Sequence, residues 1–148
     1  MDFLPHTELN HSAVEAIARG LFAVAKVDGA HERELALISA FWSDTGGGAK
    51  ALSDLQRREE IKPAQLASAL HQPSERILFI KTALLLAHAD GNVSSGERKV
   101  IGEFGRALQI DTAKIDELDA SVRDFLLSQL THVQNTDATR KVAAKLKI

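Results

Sequence analysis

One pattern, an apolar helix followed by Asp-Gly and a second amphipathic helix, occurs twice and restricts the possible folds more than any other feature. The segment "LFAVAKVDGAHERELALISAF", residues 21–41, aligns with "ALLLAHADGNVSSGERKVIGEF", residues 83–104. Asp28-Gly29 aligns with Asp90-Gly91. After a one-residue gap in the first copy, Glu34 aligns with Glu97, Ile38 with Ile101 and Phe41 with Phe104. One hairpin cannot bury its wide apolar face alone. We therefore expect the two copies to pack face to face as a pseudo-two-fold helical bundle.

The amino-acid composition predicts a single all-α domain. The chain has 148 residues, of which 45% are hydrophobic and 26% are charged, and this is typical of one folded globular unit. It contains three prolines and no tyrosine, and its abundant alanine and leucine lose little side-chain freedom in a helix. We predict one domain over residues 1–148 with its core in residues 12–130, in which shorter peripheral helices surround the two hairpins.

Apolar spacing and capping residues predict where the helices begin and end. The segment "ERILFIKTALLLAHA" is apolar on nearly all sides, which indicates a central buried helix. Pro63 suits the first turn of a short helix that reaches Leu70, and Asp111 is expected to cap a long helix. Glycines at 46–48 predict a linker, and a last short helix is expected over residues 137–146. The first helix is expected to carry an apolar stripe of Val14, Ile17, Leu21 and Val24.

The net charge of −2 and the absence of cysteine exclude several classes of function. Without a strong positive field the chain is not expected to bind nucleic acid, and without cysteine it forms neither disulfides nor thiolate metal sites. The N-terminal "MDFLPHTELN" does not match a secretion signal, and the apolar tract "ILFIKTALLLAHA" is interrupted by Lys81 and short for a bilayer span. We expect a cytoplasmic monomer or dimer that does not span a membrane.

The second copy also carries a family signature. Its residues are Ala89, Asp90, Gly91, Val93, Ser94 and Glu97, followed by Ile101 and "ALQIDTAKIDEL". This pattern resembles that of the TerB-like proteins, which include the tellurite-resistance protein TerB and the N-terminal region of DjlA-type co-chaperones. The resemblance extends over about residues 12–130, although the first copy has Val27 in place of alanine and His31 in place of the capping serine. It implies a cytoplasmic module that is associated with stress response or tellurite resistance and acts through protein contacts and an acidic, cation-sensitive surface at the elbows.

The elbow of the second copy, defined here as residues 90–97, allows a structural and a functional interpretation. Ser94 and Glu97 have the spacing of a capping box, in which each side chain accepts a hydrogen bond from the other's backbone amide. The alternative is a divalent-cation site for Ca²⁺ or Mg²⁺. Its ligands would be Asp90, Asn92, Ser94 and Glu97, with Asp28 and Glu34 as a weaker second set. The spacing is not that of an EF-hand, and helix caps are far commoner, so the capping box is favoured.

No catalytic motif was identified in the sequence. His31-Glu32 lacks the His-Glu-x-x-His spacing of zinc hydrolases, and "TGGGAK" lacks the complete phosphate-loop pattern. His88 is expected to lie in solvent at the last turn of its helix, where a cation complements the helix dipole. A small hydrolase that uses His88 and Asp90 is the remaining enzymatic alternative. We predict a protein that is not an enzyme and whose one candidate cofactor is the divalent cation.

Overall fold

The computed structural model describes residues 11–28, 32–44, 52–57, 60–88 and 93–133. Within these ranges every regular element is a helix and no strand occurs, so the predicted all-α class is confirmed. The helices are α1 (His11–Ala25), α2 (Glu32–Asp44), α3 (Leu52–Arg57), α4 (Pro63–Ala69), α5 (Pro73–Ala87), α6 (Ser95–Ala107) and α7 (Thr112–Val133), and a 3-10 turn, Lys26–Asp28, extends α1. The linker predicted at 46–48 and the helix predicted over 137–146 lie outside the described residues.

Helices α1 and α5 form the centre of the core, and their mutual contact is the most extensive between two described helices. Helix α1 also packs against α2, and α5 also packs against α6 and α7. Phe79 of α5 is completely buried, and its ring meets Phe104 of α6 edge to face with the two centroids 5.3 Å apart. The apolar stripe predicted for α1 is buried: Val14, Ile17, Leu21 and Val24. The two apolar segments that precede the Asp-Gly pairs therefore share one core.

Local interactions define the starts of several helices, and the sequence predicts two of these starts. Asp111 Oδ1 accepts a hydrogen bond from Lys114 N at 2.8 Å, which confirms Asp111 as the cap of α7. Helix α4 begins at Pro63 as predicted, and a proline suits this position because the first N–H of a helix has no partner within it. In α5, Glu75 Oε1 accepts from Gln72 N at 3.0 Å and satisfies a free amide at the helix start.

Helix α6 ends in a left-handed turn at Gln109, which has a φ of 62°. Ile110 N donates to Gly105 O at 2.8 Å and Gln109 N donates to Arg106 O at 3.1 Å. These two bonds form a Schellman motif, in which glycine is the usual left-handed residue because a β-carbon is unfavourable in that conformation. The chain thus accommodates a glutamine at a position that favours glycine.

Substitution by alanine is expected to have opposite effects on stability at two glycines of α6. Gly105→Ala is expected to lower the free energy of unfolding by about 1–3 kcal/mol, because the added Cβ would lie 2.5 Å from Ile115 Cδ1. Gly102→Ala is expected to raise it by about 0.5–1 kcal/mol, because its Cβ would meet no atom within 4 Å and alanine favours a helix. Urea denaturation measures both values. Equal effects would contradict the close packing of α6 against α7.

Candidate functional site

The elbow that carries the sequence signature begins helix α6 with a reciprocal capping box. Ser94 Oγ accepts a hydrogen bond from Glu97 N at 3.0 Å, and Glu97 Oε1 accepts one from Ser94 N at 3.0 Å. Ser94 has the extended backbone, φ −72° and ψ 161°, that is usual for a residue before a helix. Glu97 is buried, with 5% of its surface exposed. The predicted capping box is confirmed, and both side chains contribute to the helix start.

The connection that follows α1 lies directly against this helix start. A Cβ added at Gly96 would be 2.6 Å from Val27 Cγ1, so the absence of a side chain at Gly96 allows this close approach. Val27 belongs to the first copy of the repeat and Gly96 to the second. The segment that precedes Asp28-Gly29 and the segment that follows Asp90-Gly91 therefore contact each other.

The structure brings together only part of the predicted cation ligands. Ser94 and Glu97 lie side by side in the capping box, whereas Glu34 is buried in α2 with 1% of its surface exposed. Asp90 and Asn92 lie outside the described residues, as does the side chain of Asp28. Within the described part of the chain, no three His, Asp or Glu side chains are grouped closely enough to hold a metal ion. Cation binding at the elbow stays a prediction.

His88, the residue after α5, is partly buried against helix α7. Its side chain is 13% exposed, and Nε2 lies 2.8 Å from Asp119 Oδ1. The interpretation of His88 as a solvent-facing residue is therefore wrong, because its side chain contacts α7 and keeps only a small exposed surface. The carboxylate that it contacts belongs to Asp119, whose side chain is 4% exposed.

Two arginines complete the polar cluster around Asp119. Arg98 Nη2 and Arg123 Nε lie 3.4 Å and 3.3 Å from Asp119 Oδ2, and both arginine side chains are more than half exposed. Arg98 also lies 3.7 Å from the exposed Asp116. Oδ1 of the buried carboxylate thus contacts the His88 ring, and Oδ2 contacts both guanidinium groups. This Asp119 cluster joins the end of α5, the start of α6 and the middle of α7 next to the elbow.

Sequence reasoning missed Asp119, although the apolar pattern of α7 contained a signal. Ile115, Leu118 and Val122 are buried at the spacing of one helix face, and Asp119 occupies the remaining position of that face. A charged residue on a buried face is rarely stable without a partner. The break in the pattern therefore indicated a buried carboxylate with cationic or hydrogen-bonding partners, but not which residues these would be.

The fold and the site together define an all-helical arrangement in which one buried carboxylate, Asp119, links the end of α5 and the start of α6 to α7. No protein-family model matches the chain, and neither a curated protein nor a solved structure shows significant similarity to it. Among the described helices, none has both the length and the apolar character needed to cross a lipid bilayer.

Proposed function

We propose that the chain is a cytoplasmic, non-enzymatic TerB-like module that supports a stress response, with tellurite as the candidate stress, through contacts with protein partners. One observation carries the proposal: Ser94 and Glu97, two polar residues of the TerB-like signature, bond each other at the start of α6. Side chains used in this way contribute to architecture, which favours a scaffold over a catalyst.

The proposal includes a pseudo-two-fold arrangement of two helical hairpins. Two contacts support it: α1 and α5, which occupy equivalent places in the repeat, pack against each other most extensively, and Val27 lies against Gly96. Hairpins packed in this way bury their apolar faces on each other and leave their outer faces for partners. The stress and the partners follow from the family resemblance and not from these contacts.

The experiment is complementation of a strain that lacks the gene, grown with tellurite or with an oxidant. We expect the deletion to reduce growth and the wild-type chain to restore it. The variant Ser94→Gly removes the hydroxyl but costs the helix start only a few tenths of a kcal/mol, whereas Ser94→Ala costs about 1 kcal/mol. If the elbow is architectural, Ser94→Gly restores growth as well as the wild type does.

Three outcomes would count against the proposal. Normal growth of the deletion strain under both stresses would remove the stress role. A folded Ser94→Gly variant that fails to restore growth, together with a wild-type melting temperature that rises with Ca²⁺ or Mg²⁺ and falls with EDTA, would favour the cation-binding alternative. Elution of the chain from stressed cells at the same size as the purified chain would argue against protein partners.

A further inference from the structure

An open pocket of about 400 Å³ lies between the start of α5, the α6–α7 connection and the start of α7. It is lined by the apolar residues Pro73, Ile77, Leu108 and Ile110, and its polar residues include Arg76 and Lys114. Pockets that bind small molecules commonly have volumes of about 300–1,000 Å³, apolar walls and a few polar groups. The pocket has no residue in common with the elbow or the Asp119 cluster.

Arg76 is a fixed positive charge on the wall of this pocket. Its Nε, Nη1 and Nη2 donate to the carbonyl oxygens of Leu70, Leu108 and Ala67 at 2.7, 3.1 and 3.2 Å. A guanidinium has five N–H groups, so one N–H on each Nη is left. None of the ion pairs found among the described residues involves Arg76. A half-buried guanidinium without a carboxylate partner in the described chain favours an anion beside it.

The residues that line the pocket carry a net charge of +1, because Arg76 and Lys114 are positive and Asp111 is negative. Lys114 lies on the wall, and its Nζ is 3.5 Å from the exposed Glu117. Asp111 contributes a negative charge, but its carboxylate caps α7 by accepting from Lys114 N. The first turns of α5 and α7 border the pocket, and helix N-termini add positive potential. An anion is therefore favoured here over a cation.

Gln109 provides an independent indication that this pocket has a use. It lies on the pocket wall in the left-handed conformation, φ 62°, where glycine would be more stable. Backbone conformations that a residue type disfavours are found preferentially at functional sites, where the side chain offsets the strain. A glutamine amide at this position can donate a hydrogen bond to an anion in the pocket.

We propose that this pocket binds a small carboxylate that carries an aliphatic chain. The carboxylate lies against the remaining N–H groups of Arg76, with Lys114 and Gln109 near it, and the chain lies against Pro73 and Ile77. The fixed orientation of Arg76 lowers the entropy cost of binding, because three carbonyl groups already hold its side chain.

Titration of the full chain with octanoate, followed by ¹H–¹⁵N NMR, tests the proposal. We expect saturable shifts centred on the amides of Ile77, Gln109 and Ile110. Octan-1-ol, which lacks the charge, and acetate, which lacks the chain, are expected to bind about tenfold more weakly, since each lacks one of the two interactions. No saturable shift, shifts centred elsewhere, or equal binding of octan-1-ol would overturn the proposal.

Two variants separate binding from folding. Gln109→Gly is expected to raise the melting temperature and yet weaken octanoate binding about threefold, because the strain and a hydrogen bond are lost together. Lys114→Gln is expected to weaken binding about threefold through the lost charge. Lys99→Gln is the matched control, because Lys99 is exposed on α6 and does not line the pocket. Unchanged binding in both pocket variants, or an equal loss in the control, would refute the assignment.

Discussion

Replacing Phe79 with alanine is expected to lower the free energy of unfolding by about 3–5 kcal/mol, the range found for large aromatic side chains removed from a core. Phe79 has no exposed surface, and its ring packs against Phe104 of α6. Its Cε1 would also lie 2.5 Å from a Cβ added at Gly20 of α1. The ring therefore joins three helices, and its removal leaves a cavity that rigid helices cannot close. Urea denaturation followed by circular dichroism measures the loss.

Gly20 offers a second test of the same contact. Gly20→Ala alone is expected to cost about 1–3 kcal/mol, because the completely buried ring has no space in which to move away. With Phe79→Leu the smaller side chain leaves room for the methyl group, so the two substitutions together should cost less than the sum of their separate effects. Leu127→Ala is the control, since Leu127 is 60% exposed and should change stability by less than about 0.5 kcal/mol. Strict additivity of the pair would contradict the contact.

Removal of the Asp119 carboxylate is expected to have the second largest effect. Asp119→Ala should lower the free energy of unfolding by about 2–3 kcal/mol, because the partly buried His88 loses its hydrogen-bond partner. The cost is below the ~3–5 kcal/mol found for fully buried ion pairs, since Arg98 and Arg123 are more than half exposed and remain hydrated. Thermal and urea denaturation of the variant measure this value.

A graded series distinguishes the charge of Asp119 from its hydrogen bonds. Asp119→Asn keeps the shape and a hydrogen-bonding oxygen, so about half of the loss is expected to return. Asp116→Asn is the matched control on the same helix, since Asp116 is 62% exposed and 3.7 Å from Arg98, and it should change stability by less than about 0.5 kcal/mol. Similar losses for Asp116→Asn and Asp119→Asn would show that the Asp119 cluster does not hold α5 and α6 to α7.

The positions of the helices could be predicted because their signals are local. A helical hydrogen bond connects residues four apart, and a cap acts within three residues, so Pro63, Ser94, Glu97 and Asp111 each indicate a helix start from their immediate neighbours. The burial of α1 and α5 follows from the periodicity of their apolar residues. The cation-ligand hypothesis used the same local spacing, and the capping box accounts for Ser94 and Glu97 without an ion.

Contacts between distant segments could not be predicted in this way. His88 and Asp119 are 31 residues apart, and no periodic pattern connects them. Arg76 resembles a surface residue in the sequence, yet Leu108, which is 32 residues away, supplies one of its three carbonyl partners. The left-handed turn at Gln109 was likewise unexpected, because the usual signal for such a turn is glycine.

By itself the sequence determined the all-helical class, the starts of the helices and the identity of the central buried helix, since hydrogen bonds and apolar periodicity within a few residues are enough to specify them. Only the tertiary structure decided which polar side chains are buried together. The packing of α7 against α5 and α6 places Asp119 beside His88, Arg98 and Arg123, and the same packing forms the pocket beside Arg76. A buried charge is stabilised by the partner that the fold places next to it. The separation of two residues along the sequence does not indicate which residue that partner is.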